Sequence, residues 1–170
     1  IVSRRINPLK PAVLTIASFH AGSAFNVIPS TASITGTVRT FDTDVQNQII
    51  TEMEKIIASA CENAGATYTF NYATGYPAVI NHPEETMLLV RSAEKVVGAD
   101  QTIHIDPSMG GEDFAYYLKK VPGTFFFTGA GNAEKGIIYP HHHGKFDIDE
   151  QAMLIAAKVL LTAALDYLRQ

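Results

Sequence analysis

Cysteine is almost missing from this chain. Cys61 stands alone, so no internal disulfide can form, and that usage fits a reducing compartment. Charge of one sign is equally sparse. With 13 Lys and Arg against 17 Asp and Glu the formal net charge is −4, and no basic stripe or block of like charge occurs. Nucleic acid and anionic membrane surfaces are therefore poor fits as main partners. No uninterrupted apolar run approaches the roughly 18–20 residues that cross a bilayer, and no basic stretch followed by an apolar one marks a secretory leader. Internal repeats and low-complexity tracts are lacking too. The expected setting is cytoplasmic. What is present is 170 residues, 46% hydrophobic and 18% charged, enough for one domain or two small ones. The chain opens Ile-Val-Ser-Arg-Arg without an initiating Met, and the expectation is a processed or truncated product.

Periodicity divides the chain near residue 80. Ile1–Pro8 reads as a helix tail closed by Asn7-Pro8. Ala12–Phe19 and the alternating Thr31–Phe41 read as strands, with Ala32, Ile34 and Val38 on one face. Thr43–Asn63 is the clearest helix, with a Thr43/Gln46 capping box, an apolar face at Val45, Ile49, Met53, Ile56, Ile57 and Ala60, and a stop at Gly65. Ala66–Ala73 alternates as a strand. After the proline-containing stretch 75–83 come a helix over Pro83–Val97, a strand at Gln101–Ile105 and a short helix at Asp113–Lys119. A strand at Gly123–Gly129 and a long helix over Asp149–Leu168 follow. The apolar positions of that helix are Leu154, Ala157, Leu161, Ala164, Leu165 and Leu168. The first half predicts a small α+β sandwich that lacks its first strand, the second a mainly parallel α/β layer.

Four features could carry chemistry. His141, His142 and His143 stand together in a turn-prone segment, and imidazole is the commonest metal ligand. In extended backbone His142 faces away from its neighbours, and a solvated polar turn is an equally good account of the triplet. Gly110 and Gly111 lie ahead of a predicted helix, where bare N–H groups could meet an anion, with Glu112 and Asp113 also suited to a helix start. Asn26 and Arg39 could grip a carboxylate, or simply be solvated. Isolated His20, His82 and His104 fit ordinary surface or satisfied roles. Cys61 fits inert packing.

Together the strings VSRRINPLKPAVLTI, AFNVIPSTASITGTVRTF, SMGGEDFAYYL, VPGTFFFTGAG and HHHGKFDIDEQAM resemble the zinc-dependent aminoacylase/carboxypeptidase amidohydrolases. The nearest branch holds hippurate hydrolases, N-acyl-L-amino-acid amidohydrolases and auxin-conjugate hydrolases. The resemblance covers almost the whole chain, with the motifs in family order. It implies an α+β ferredoxin-like lid (dimerisation) domain over residues 1–80, then the C-terminal part of an α/β metallohydrolase catalytic domain over 81–170. His142 aligns with the family's last metal ligand, four residues before the aromatic Phe146, although Gly144 replaces the usual proline. Asn26 and Arg39 align with lid residues that hold a substrate carboxylate, and Gly110, Gly111 and Glu112 with a loop lining the pocket.

The implied function is metal-dependent hydrolysis of the amide bond of N-acyl amino acids or small peptides. It uses two divalent ions (zinc, manganese, cobalt or nickel) and a general-base glutamate. The other ligands and that base are expected in an N-terminal half beyond these residues, since no Cys-Gly-His-Asp string occurs here. The isolated chain is accordingly expected to be inactive, to bind metal weakly, and to form homodimers through the lid. The competing account is a stand-alone dimerisation or metal-binding module without catalysis.

Overall fold

The computed structural model describes residues 1–169 as two compact units. One comprises Ile1–Ala78 with Ser108–Glu112, the other Val79–Pro107 with the chain from Asp113 onward. Helices and a two-stranded antiparallel sheet make the chain mixed α and β.

In the first unit a single helical turn, α1 (Val2–Arg5), gives way to extended backbone at Ile6. Strands β1 (Ala12–Ala21) and β2 (Ala32–Thr40) form a hairpin in which Leu14 pairs with Val38 and Phe19 with Ile34. The register slips at Ala17, where Ile16 pairs with Gly36 but Ser18 with Thr35. This bulge draws the strands close. A Cβ added at Gly36 would stand 2.3 Å from the Thr15 carbonyl oxygen, so no other residue fits without moving backbone.

Helix α2 (Thr43–Asn63) has the bounds its periodicity predicts. Its cap differs from the expected Thr43 capping box. Asp42 is the N-cap, accepting from the Asp44 and Val45 N–H groups at 2.9 and 3.3 Å on one oxygen, while Lys10 Nζ holds the other at 2.6 Å. That lysine, more than the two N–H donors, holds the Asp42 carboxyl below its ordinary range. Val45 and Ile49 are buried with Ile6, and Ile1, Ala12, Val38 and Met53 pack around them. The expected apolar stripe continues to Ile56, which is half exposed.

In the second unit α3 (Pro83–Val97) packs on α5 (Gln151–Leu168). Buried Ser92 donates to Asp166 Oδ2 at 2.6 Å, and Lys95 Nζ reaches both oxygens of the same carboxylate at 2.8 Å. The face of α5 is a correction. Ala152 and Val159 are buried, whereas Leu154, Leu161, Leu165 and Leu168 of the predicted stripe are exposed. A helix apolar around its whole circumference does not reveal which side its neighbour occupies. By length and a mean hydropathy of 1.4 α5 could even cross a membrane. The remaining helix, α4 (Ala115–Leu118), is one turn rather than the expected seven residues.

The strands expected at Ala66–Ala73, Gln101–Ile105 and Gly123–Gly129 are not formed, and among the described residues no parallel sheet occurs. Extended, apolar sequence makes a strand only where another backbone pairs with it. At Phe125 a side chain takes that place. The Asn81 amide donates to the Phe125 carbonyl and accepts its N–H, both at 2.8 Å. The accessible surface, 13288 Å², shows the same shortage of neighbours. A folded protein of this mass exposes roughly 8,200 Å², and two independent halves together roughly 9,900 Å². The excess includes Phe25, Ile28 and Leu9, each at least 88% exposed.

Gly36→Ala should lower stability by about 1–3 kcal/mol, the range for forcing atoms into an occupied space. A urea unfolding midpoint equal to that of the unaltered chain would show that the bulge can relax.

Candidate functional site

The histidine loop hangs from a small turn. Asn132 and Ile137 form an antiparallel bridge, each N–H reaching the other's carbonyl at 2.9 Å, around the 3-10 turn Ala133–Lys135. Gly136, at φ 74°, makes the reversal in the left-handed region that glycine enters freely. From there the chain runs through the three histidines to Asp149, whose N–H returns to the Ala130 carbonyl at 2.8 Å.

The three rings have different surroundings. His143 stacks on Tyr139 with centroids 4.3 Å apart and planes 9° from parallel, and its Nδ1 accepts the Lys145 N–H at 3.0 Å. Lys145 Nζ lies 5.6 Å from the centroid of the same tyrosine ring. His141 meets Phe146 edge-on at 4.8 Å. The His142 ring has only a 6.5 Å edge contact with His141 and makes no hydrogen bond among the described residues. Its backbone is the exception as well. At φ 66° it is the one non-glycine residue among those described with a positive φ, a conformation that costs an L-residue roughly 1–2 kcal/mol. Strain of this kind gathers where a side chain must be aimed.

Asp149 closes the loop. Its carboxylate accepts from Asn132 Nδ2 at 2.6 Å, Lys135 Nζ at 2.9 Å and the Gln151 N–H at 3.2 Å, and the side chain is only 14% exposed. These bonds, Asn132 first and Lys135 second, hold its pKa down at about 2. The sequence reading placed Asp149 inside the helix and missed this role. The available signal was an acidic residue at a helix start, with Asn132 and Lys135 in a glycine-bounded turn upstream.

In the first unit Arg39 Nη1 donates to the Met109 carbonyl at 2.5 Å, which brings the Gly110-Gly111 segment beside the end of β2. Neither glycine is demanded by space. A Cβ at Gly110 would lie 3.6 Å from Ser108 Oγ, and one at Gly111 would lie 3.5 Å from Tyr76, both ordinary contacts. The anticipated helix-mouth anion site is not what the geometry offers, because α4 starts only at Ala115 and the Gly110 N–H is taken by Ser108 Oγ at 3.3 Å. Glu112 is half-buried in the same segment. Asn26 lies exposed in the hairpin loop, and no bond joins it to Arg39 among the described residues. His142 belongs to the other unit. No three His, Cys, Asp or Glu side chains converge as a metal site among the described residues. On the donors present in this loop, a divalent ion is offered the His142 imidazole and therefore one corner of a site.

This fold and loop have relatives. The model of peptidase family M20/M25/M40 matches residues 9–166. YhaA of Bacillus subtilis, which bears an amidohydrolase name, is 51% identical over 167 residues, covering 98% of this chain and 42% of that protein. The N-acetyl-L-cysteine deacetylase of the same bacterium is 38% identical over 164 residues, covering 96% and 38%. The crystal structure of B. subtilis YxeP, a dinuclear metal binding peptidase from the M20 family, matches with a TM-score of 0.77 and 30% identity. That match covers 94% of this chain and 42% of that one. The chain belongs to peptidase family M20/M25/M40. It spans about two fifths of the length of the curated relatives it matches.

Two outcomes follow from the loop. Because φ at 142 is left-handed, His142→Gly should be more stable than His142→Ala by about 1 kcal/mol in chemical denaturation. The opposite order would mean that the loop is not held in this conformation. Because the Asp149 pKa is lowered on folding, its contribution is complete above the ordinary carboxylate value near 4. It is lost as pH falls through about 2. A carboxyl-carbon NMR titration should place the Asp149 midpoint near 2, and a midpoint at the ordinary value would show its bonds to be absent in solution.

Proposed function

We propose that this chain forms the C-terminal part of a metal-dependent amidohydrolase acting on N-acyl amino acids or small peptides. The observation that carries the reading is the His142 ring. Alone of the three it is left without a hydrogen bond or a close ring partner, on a backbone held in a costly conformation within a braced loop. An imidazole so presented suits a divalent ion. The ion would be zinc, manganese, cobalt or nickel, as one of a pair, and when bound it would supply Lewis-acid activation of water. The further ligands and the general base would come from sequence beyond these residues, in keeping with the share of its relatives that the chain covers.

Arg39 and Asn26 take the substrate's carboxylate in this reading. Among the described residues the Arg39 guanidinium makes one hydrogen bond, that to Met109, so the planar fork retains donors for a second acceptor. Gly110 and Gly111, not required by sterics, let a substrate approach bare backbone, with Glu112 beside them. The exposed outer end of the hairpin supports homodimerisation through the first unit. Ile16, Phe19 and Ile34 continue the apolar face whose Ala12 and Val38 pack against the core that includes Val45 and Ile49, and each is more than half exposed. A cytoplasmic setting belongs to the same reading.

In the full-length protein, Arg39→Ala should raise KM for an N-acyl amino acid about tenfold or more, the worth of one charge-assisted hydrogen bond. It should leave an uncharged amide substrate nearly unaffected. Equal effects on both substrates would remove Arg39 from carboxylate binding.

A further inference from the structure

We infer that Asp149 is a positioning residue for the histidine loop, its carboxylate clasping the two ends of that loop so that the His142 ring is presented in one orientation. The inference rests on the reading of His142 as a metal ligand and adds to it a residue that is not itself a ligand. The clasp has four strands of contact. Asn132 Nδ2 and Lys135 Nζ reach the carboxylate from the start of the loop, the Gln151 N–H reaches it from the first residue of α5, and the Asp149 N–H is tied to the Ala130 carbonyl. Asp149 is thus bonded at once to the helix and to the turn.

What it encloses explains why it is needed. Between Ile137 and Asp149 the loop contains no helix or strand. Its internal order comes from the Tyr139–His143 stack, the His141–Phe146 contact, the Lys145 contact with Tyr139 and turn hydrogen bonds, from the His143 N–H to the Pro140 carbonyl, from the Lys145 N–H to His143 Nδ1 and from the Phe146 N–H to the His143 carbonyl. None of these holds the ends of the loop together. A left-handed His142 persists only while its surroundings over-determine the backbone. Fixed ends supply that condition. Without the carboxylate the hydrogen bond left joining the ends among the described residues is that to Ala130, and the strained residue can relax by swinging its ring away.

The test compares full-length wild-type protein with Asp149→Ala, Asp149→Asn and Lys135→Met. The lysine variant alters a side chain that is 56% exposed and guards against a fold lost at position 149. Three readings are taken: amide hydrogen exchange over residues 136–148, zinc affinity, and kcat and KM for an N-acyl amino acid. Asp149→Ala should speed loop exchange and weaken zinc about tenfold or more, the scale on which outer supporting groups act. It should lower kcat while KM changes less than about twofold. Asp149→Asn, which keeps one acceptor oxygen and so either the Asn132 bond or the Gln151 bond but not both, and Lys135→Met should fall between it and the wild type. Faster exchange with zinc affinity and kcat unchanged would overturn the inference, because Asp149 would then be merely structural. Unchanged exchange in all three variants would overturn it as well. Wild-type protein that binds zinc but cleaves no N-acyl amino acid would sink the proposed substrate class, and the clasp would still be decided by exchange and zinc affinity.

Discussion

Narrow contact between a helix and one neighbour is the constraint on which this structure depends. In the first unit it is α2 against β2, centred on Val45, Ile49 and Val38. In the second it is α5 against α3, where Ser92 and Lys95 meet Asp166 and where Leu89 on α3 and Val159 on α5 are buried. Each contact buries few side chains, so hydrophobic burial fixes which faces meet but leaves much of the chain's apolar surface in water. Local polar bonds must then do more of the fixing than they do in a closed core.

Three aspartates carry that work in the same way. Asp42, Asp149 and Asp166 each accept from a lysine and from at least one further donor, and each has its carboxyl held below the ordinary range. A lone exposed ion pair contributes little, because water screens it and two side chains must be ordered. The added neutral donors change this. Backbone N–H groups at the starts of α2 and α5, and Ser92 Oγ in the packed face of α3, are already fixed by helices. The carboxylate therefore meets preorganised partners and becomes a joint between elements.

How far the sequence disclosed this follows from the range of each interaction. Helix limits were readable for α2 and α3, where apolar spacing is local, although the α2 cap fell to Asp42 rather than Thr43, and the two strands were readable from the β-branched, apolar Ala12–Phe19 and the alternation in Thr31–Phe41. Family motifs were readable because whole strings match in order. The buried face of α5 was not, since Ala152 and Val159 compete with equally apolar residues around the helix. Residues 66–73 and 123–129 have strand composition, yet pairing depends on a neighbour that composition does not name. Within the candidate site, His142 was marked by its place in a motif. The role of Asp149 depends on a fold-back of 17 residues to Asn132, and no local pattern encodes that.

The Asn81–Phe125 pairing has a further consequence. By occupying both the donor and the acceptor of one residue, the Asn81 amide acts as one rung of a short ladder, next to the His82 N–H, which reaches the Gly123 carbonyl at 3.0 Å. Any backbone approaching that edge of the Gly123–Gly129 segment finds Phe125 already satisfied. Pairing there has no vacant donor or acceptor to start from at that point. One side-chain amide thus gives an apolar stretch a finished edge at its middle, steering strand addition elsewhere.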